Sequence, residues 1–185
     1  MTLTNLRTAA ASSLAAAGLL FSLAACSVPA TSQSPSSPAA ESASASATAS
    51  GPCEGVQVIV DSGALEQEAA DTSACIAVEG PTAAAKVLEE ANVKTVGTEA
   101  YPNELVCRVN GVPAADFDIK HKGGTYREEC KKMPAAFAYW ALWVKATPDA
   151  EWAYAQEGLA TLKVSPGQSL ELLFTVDGEP AAPKA

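Results

Sequence analysis

Histidine occurs once in these 185 residues, methionine twice, and no two cysteines stand in a CxxC spacing. The single histidine, His121, lies in "KHK" within a polar stretch, where a solvated side chain is a simpler reading than a general base. With so few clustered His and Cys donors, no metal ligand is assigned. A Gly-x-Ser-x-Gly elbow, a His-Glu-x-x-His pair, a Walker loop and a dinucleotide fingerprint are all missing. No catalytic residue or cofactor is assigned, and the chain reads as a non-enzyme. The carboxylate pairs Glu89-Glu90 and Glu128-Glu129 are sequence neighbours and read as solvated charge. Basic residues are scarce: 12 Lys and Arg against 21 Asp and Glu give a formal charge of −9. That balance argues against nucleic acid and anionic head groups as partners.

The start of the chain is more informative. Met1 to Cys26 has a polar beginning with one basic residue, Arg7, then an Ala/Leu-rich run, then "LAAC". This is the layout of a secretory signal, and the run is too short and alanine-rich for a membrane span of about 20 strongly apolar residues. Leu-Ala-Ala-Cys resembles the lipobox of bacterial lipoproteins. The resemblance implies a signal peptide at 1–25, diacylation of Cys26, and a mature chain anchored by its lipids to the extracytoplasmic face of the cell membrane. The alternative is an ordinary secreted protein in which Cys26 merely follows the cleavage site. Loss of Arg7 with the leader takes the formal charge from −9 to −10.

After Cys26, residues 27 to 52 hold nine Ser, seven Ala, four Pro and two Thr, with Glu41 the only charge. Such a composition buries nothing, so a disordered tether spanning about 25 to 30 Å is expected. Residues 53–185 are one domain's worth of chain. Four cysteines remain there, Cys53, Cys75, Cys107 and Cys130, an even number in an oxidising location, so two disulfides are expected. Three pairings are possible. Cys53 with Cys75 and Cys107 with Cys130 is preferred, because each bridge would close a strand-loop-strand unit.

Periodicity predicts strands at 55–63 and 74–80, then a helix over 81–92 with Ala84, Val87, Leu88 and Ala91 on one stripe. A strand at 104–114 carries Asn110-Gly111, a strong hairpin signal. Residues 114 to 134 read as a polar loop, followed by strands at 136–146, 151–156 and 169–177. The fold class is therefore α+β: a mixed β-sheet with one packed helix, β-grasp-like, with two disulfides.

The residues Cys107-Arg108, Asn110-Gly111, Cys130, Met133-Pro134, Ala138-Tyr139-Trp140, Trp143, Trp152-Ala153-Tyr154, Gly158 and Pro166-Gly167 carry a family resemblance. Residues 55 to 177 resemble the DUF4430-type domain of actinobacterial secreted proteins, related to the C-terminal domain of transcobalamin and intrinsic factor. That resemblance implies binding of a corrinoid or another small ligand at the cell surface. The helical-barrel domain that completes the transcobalamin site has no counterpart here, and the basic "KHK" departs from the pattern.

Aromatic residues number only eleven, and six of them fall between Phe137 and Tyr154. On a strand through 137–145, Ala138, Trp140, Leu142 and Val144 share an apolar face, while Phe137, Tyr139, Trp143 and Lys145 share the other. A hairpin turning at Pro148-Asp149 would set Trp143 opposite Tyr154 and Lys145 opposite Trp152, with a cation-π contact. A one-residue slip would turn Trp152 and Tyr154 into core. Tyr139, Trp143, Trp152 and Tyr154 are thus the candidate ligand-binding residues, unless these rings simply cover the sheet. Arg108 and Lys163 could meet an anionic group. Two other functions remain open: an interaction module docking an extracellular protein partner, and a subtilisin-inhibitor-like protease inhibitor with an exposed loop at 114–129.

Overall fold

The computed structural model describes residues 52–184; the leader, Cys26 and the tether lie outside them. In chain order the elements are β1 (Val56–Asp61), β2 (Thr72–Ile76), β3 (Thr82–Ala83), α1 (Ala84–Glu90), β4 (Thr95–Gly97) and β5 (Val106–Val109). They continue with β6 (Ile119–His121), β7 (Gly124–Tyr126), β8 (Ala138–Lys145), β9 (Trp152–Tyr154), β10 (Lys163–Val164) and β11 (Ser169–Val176). Five of these form one sheet in the order β2-β1-β11-β8-β9. Only β1 and β11 run parallel; the other pairs in this sheet are antiparallel. The α+β class, the mixed sheet and the helix follow the expectation.

Alternation puts Val56, Val58 and Val60 of β1, Ala138 and Trp140 of β8, and Leu170, Leu172, Phe174 and Val176 of β11 on one face. Against them pack Ala84, Val87 and Leu88 of α1, with Val109, Ile119, Leu159 and Val164 from the connections. Removing these side chains from water is the main stabilising term, at roughly 1.5 to 3 kcal/mol per large side chain. The helix is shorter than its sequence pattern. Thr82 and Ala83 are drawn into a ladder with Val164 and Lys163. The first helical N–H groups then donate to backbone carbonyls, Ala84 to Leu162 at 2.9 Å and Ala85 to Leu159 at 3.4 Å. Asn92, at φ 58°, follows the last turn in the left-handed region that often closes helices.

Both disulfides take the preferred pairing, Cys53–Cys75 and Cys107–Cys130, each with Cα atoms 5.6 Å apart. Two expectations need correction. Residues 114–134 are not one loop, since β6 and β7 form a hairpin there with His121 opposite Gly124. The Asn110-Gly111 turn closes only a single bridge, Val109 to Val112, and not a longer hairpin. Asn110 instead ties distant segments: its backbone N–H donates to the Lys94 carbonyl at 2.8 Å, and its side chain donates to the Ala70 carbonyl at 2.9 Å.

Candidate functional site

The second face of the sheet carries the aromatic residues. Ala150 N–H donates to the Thr147 carbonyl at 3.0 Å, making Pro148 and Asp149 the centre of a turn for which proline presets φ. The resulting register places Trp143 opposite Tyr154 and Lys145 opposite Trp152. The Trp143 and Tyr154 rings meet edge-to-face with centroids 5.3 Å apart, and Lys145 Nζ lies 5.5 Å from the Trp152 ring centre. Tyr139 sits two same-face positions further along β8, beyond Ala141. Tyr139, Trp143 and Trp152 are half-buried, while Tyr154 is 47% exposed. Burial, and secondarily the neighbouring Tyr139 hydroxyl, raise the Tyr154 pKa. Trp140 belongs to the opposite face, edge-on to Phe174 at 5.3 Å, with its indole N–H donating to the Val112 carbonyl at 3.1 Å.

Phe137 departs from the expected face. It precedes β8, packs against the core, and stacks on His121 with centroids 4.1 Å apart, while Tyr126 approaches it edge-on at 5.3 Å. His121 therefore lies on a strand beside an aromatic ring, and its Nδ1 accepts the Gly123 N–H at 3.1 Å.

Next to the ladder lies a residue that sequence reasoning missed. Glu171 of β11 pairs with Trp143 on one side and Ile59 on the other, and is 3% exposed. Burial, reinforced by the negative charge of Asp61 and opposed by Lys184, pushes its carboxyl up from 4.5 to about 7. The signal was one acidic residue inside "SLELLFTV", masked by the apolar run around it. Over the same face folds the segment after β11. Asp177 N–H donates to the Phe137 carbonyl at 2.7 Å, and the Lys184 carbonyl accepts the Trp152 indole N–H at 3.1 Å. Among the described residues, the Trp143 indole N–H is buried without a partner.

Beside the ladder, where β9 ends, opens a cleft of about 680 Å³. Its wall includes Tyr139 and Tyr154 together with Leu105, Met133, Ala136 and Leu159.

Two further polar candidates lie away from the ladder. Arg108 donates through Nη2 to the Glu128 carbonyl at 2.8 Å, and Lys163 is exposed on β10. Glu128 is buried rather than solvated, accepting the Tyr126 hydroxyl and the Cys130 N–H, each at 2.7 Å. It neighbours Cys107 and Cys130, whose sulfurs are spent on a disulfide and offer no thiolate to a metal. Among the described residues, no helix is long and apolar enough to cross a membrane. No family model, curated protein or solved structure matches the chain.

Proposed function

We propose that this domain is a non-catalytic binding module, carried as a lipoprotein on the extracytoplasmic face of the cell membrane and presenting its aromatic ladder to a small planar ligand. The observation that carries this reading is the side-by-side placement of Tyr139, Trp143, Trp152 and Tyr154 outside the core. Tyr139 to Trp143 spans about 13 Å by strand rise, enough to accept a large flat molecule. Lys145 adds a positive charge at the rim, beside the Trp152 ring. A corrinoid is the first candidate, through the sequence resemblance to the transcobalamin C-terminal domain. The strand order, with the parallel first and last strands at its centre, is compatible with the β-grasp-like sheet that resemblance implies. The tether and the lipid on Cys26 would hold such a module away from the bilayer.

The test is tryptophan fluorescence titrated with cobalamin and with cobinamide, corrected for the inner-filter effect with free tryptophan. Saturable quenching that Trp143→Ala abolishes is the expected result. Quenching that survives in Trp143→Ala, or none that saturates, would remove the ladder as a corrinoid site.

A further inference from the structure

The cleft beside the ladder is the empty continuation of the lane that β9 occupies. β9 pairs with β8 only from Trp143 to Lys145, and the last bond between the two segments runs from Ala155 N–H to the Leu142 carbonyl at 2.9 Å. Beyond that point residues 156–161 swing away from β8 and become one wall of the cleft, with residues 133–136 as another.

Strand alternation fixes which backbone groups of β8 face this lane. Phe137 turns its carbonyl toward β11, where it accepts the Asp177 N–H. Ala138 N–H donates to Ala135 and the Leu142 carbonyl accepts from Ala155, so both even-numbered residues turn their polar groups away from β11. Trp140, between them, does the same. The β9 ladder stops at Trp143, the β11 ladder bonds the odd-numbered residues, and among the described residues no turn or loop backbone group bonds the Trp140 N–H and carbonyl or the Leu142 N–H. An edge of this kind, with donors and acceptors spaced for a ladder, is a template for another strand.

From this juxtaposition we infer that the open edge of β8, Ala138 to Leu142, binds an extended peptide segment of another protein by strand addition. Five residues of extended chain, about 17 Å, fill the lane. Alternate side chains of the guest lie against Leu105, Met133 and Ala136, which calls for β-branched or aliphatic residues. The charged lining residues are Glu104 and Glu157, and the chain as a whole is strongly acidic, so the guest carries basic residues at its flanks. This inference shares Tyr139 and Tyr154 with the corrinoid reading but separates from it at other residues: Trp143 and Trp152 do not line the lane, and Ala136 does not belong to the ladder.

The probe is a nonapeptide of alternating valine and threonine with a lysine at each end, added to the full chain and followed by amide hydrogen exchange. Protection of the Trp140 and Leu142 amides by tenfold or more is expected. N-methylation of one alternate set of peptide amides should abolish binding, and methylation of the other set should leave it intact. Ala136→Trp, at an exposed position on the wall, should weaken the peptide at least tenfold while leaving corrinoid quenching unchanged; Trp143→Ala should do the reverse. Absence of protection, or equal binding of both methylated peptides, would overturn the proposal. So would protection that grows with protein concentration alone, because the edge would then be taken by a second copy of this chain.

Discussion

Glu171 is buried in the middle of β11 with its carboxyl raised to about 7, so it is the residue through which pH reaches the aromatic face. The folded chain holds this proton more tightly than the unfolded chain, which releases it near the ordinary value of 4.5. Its contribution to stability is therefore full below about 4.5 and declines as the pH rises to about 7. The melting temperature should fall between pH 5 and pH 8, and Glu171→Gln should flatten that slope and melt higher than the parent at pH 8. An unchanged slope in the variant would show that another group governs the response. Gly63 shapes the same face from the other side. Its φ is 48°, and a Cβ there would come within 2.3 Å of the Phe174 carbonyl oxygen, which explains why glycine occupies this position over the sheet.

Among the elements, the β8–β9 hairpin was the most legible in sequence. Strict alternation gave the two faces of β8, and Pro148-Asp149 supplied a turn whose geometry determines the register of Trp143 with Tyr154. β1, β2 and β11 were readable for the same reason, each presenting an apolar face of period two. Polar or very short elements were not. "IKHKGGTY" has apolar residues only at its ends, so β6 and β7 carry no periodic signal, although Gly123-Gly124 did mark their turn. β3 and β10 exist only because they meet each other, and nothing local announces a two-residue ladder. Glu128 reads in sequence as solvated charge, and is buried because its carboxylate turns back to the Tyr126 hydroxyl and the Cys130 N–H beside the Cys107–Cys130 bridge. That bridge closes a loop of sequence separation 23, for which loss of the cross-link should cost about 3 kcal/mol. Replacing Cys107 and Cys130 together by serine should lower the chemical-denaturation stability by about that amount. Amide exchange should accelerate over 95–130 while the β8 amides bonded to β11 stay protected. Collapse of the whole sheet would instead make the bridge a requirement for the fold.

In the molecule as a whole, the sheet separates two tasks. One face is filled by α1 and the connections and holds the core; the other is partly closed by the segment after β11 and leaves its aromatic half accessible. The three tryptophans sample this division, with Trp140 in the core, Trp143 half-buried beside Glu171, and Trp152 at the rim. Their indole N–H signals are therefore separate reporters, and the decisive measurement is a proton–nitrogen correlation spectrum of the chain titrated with cobinamide. Saturable shifts of the Trp143 and Trp152 indoles, with Trp140 unmoved, are the expected result. No shift in any of the three, or a shift confined to Trp140, would contradict a ligand site on the aromatic ladder.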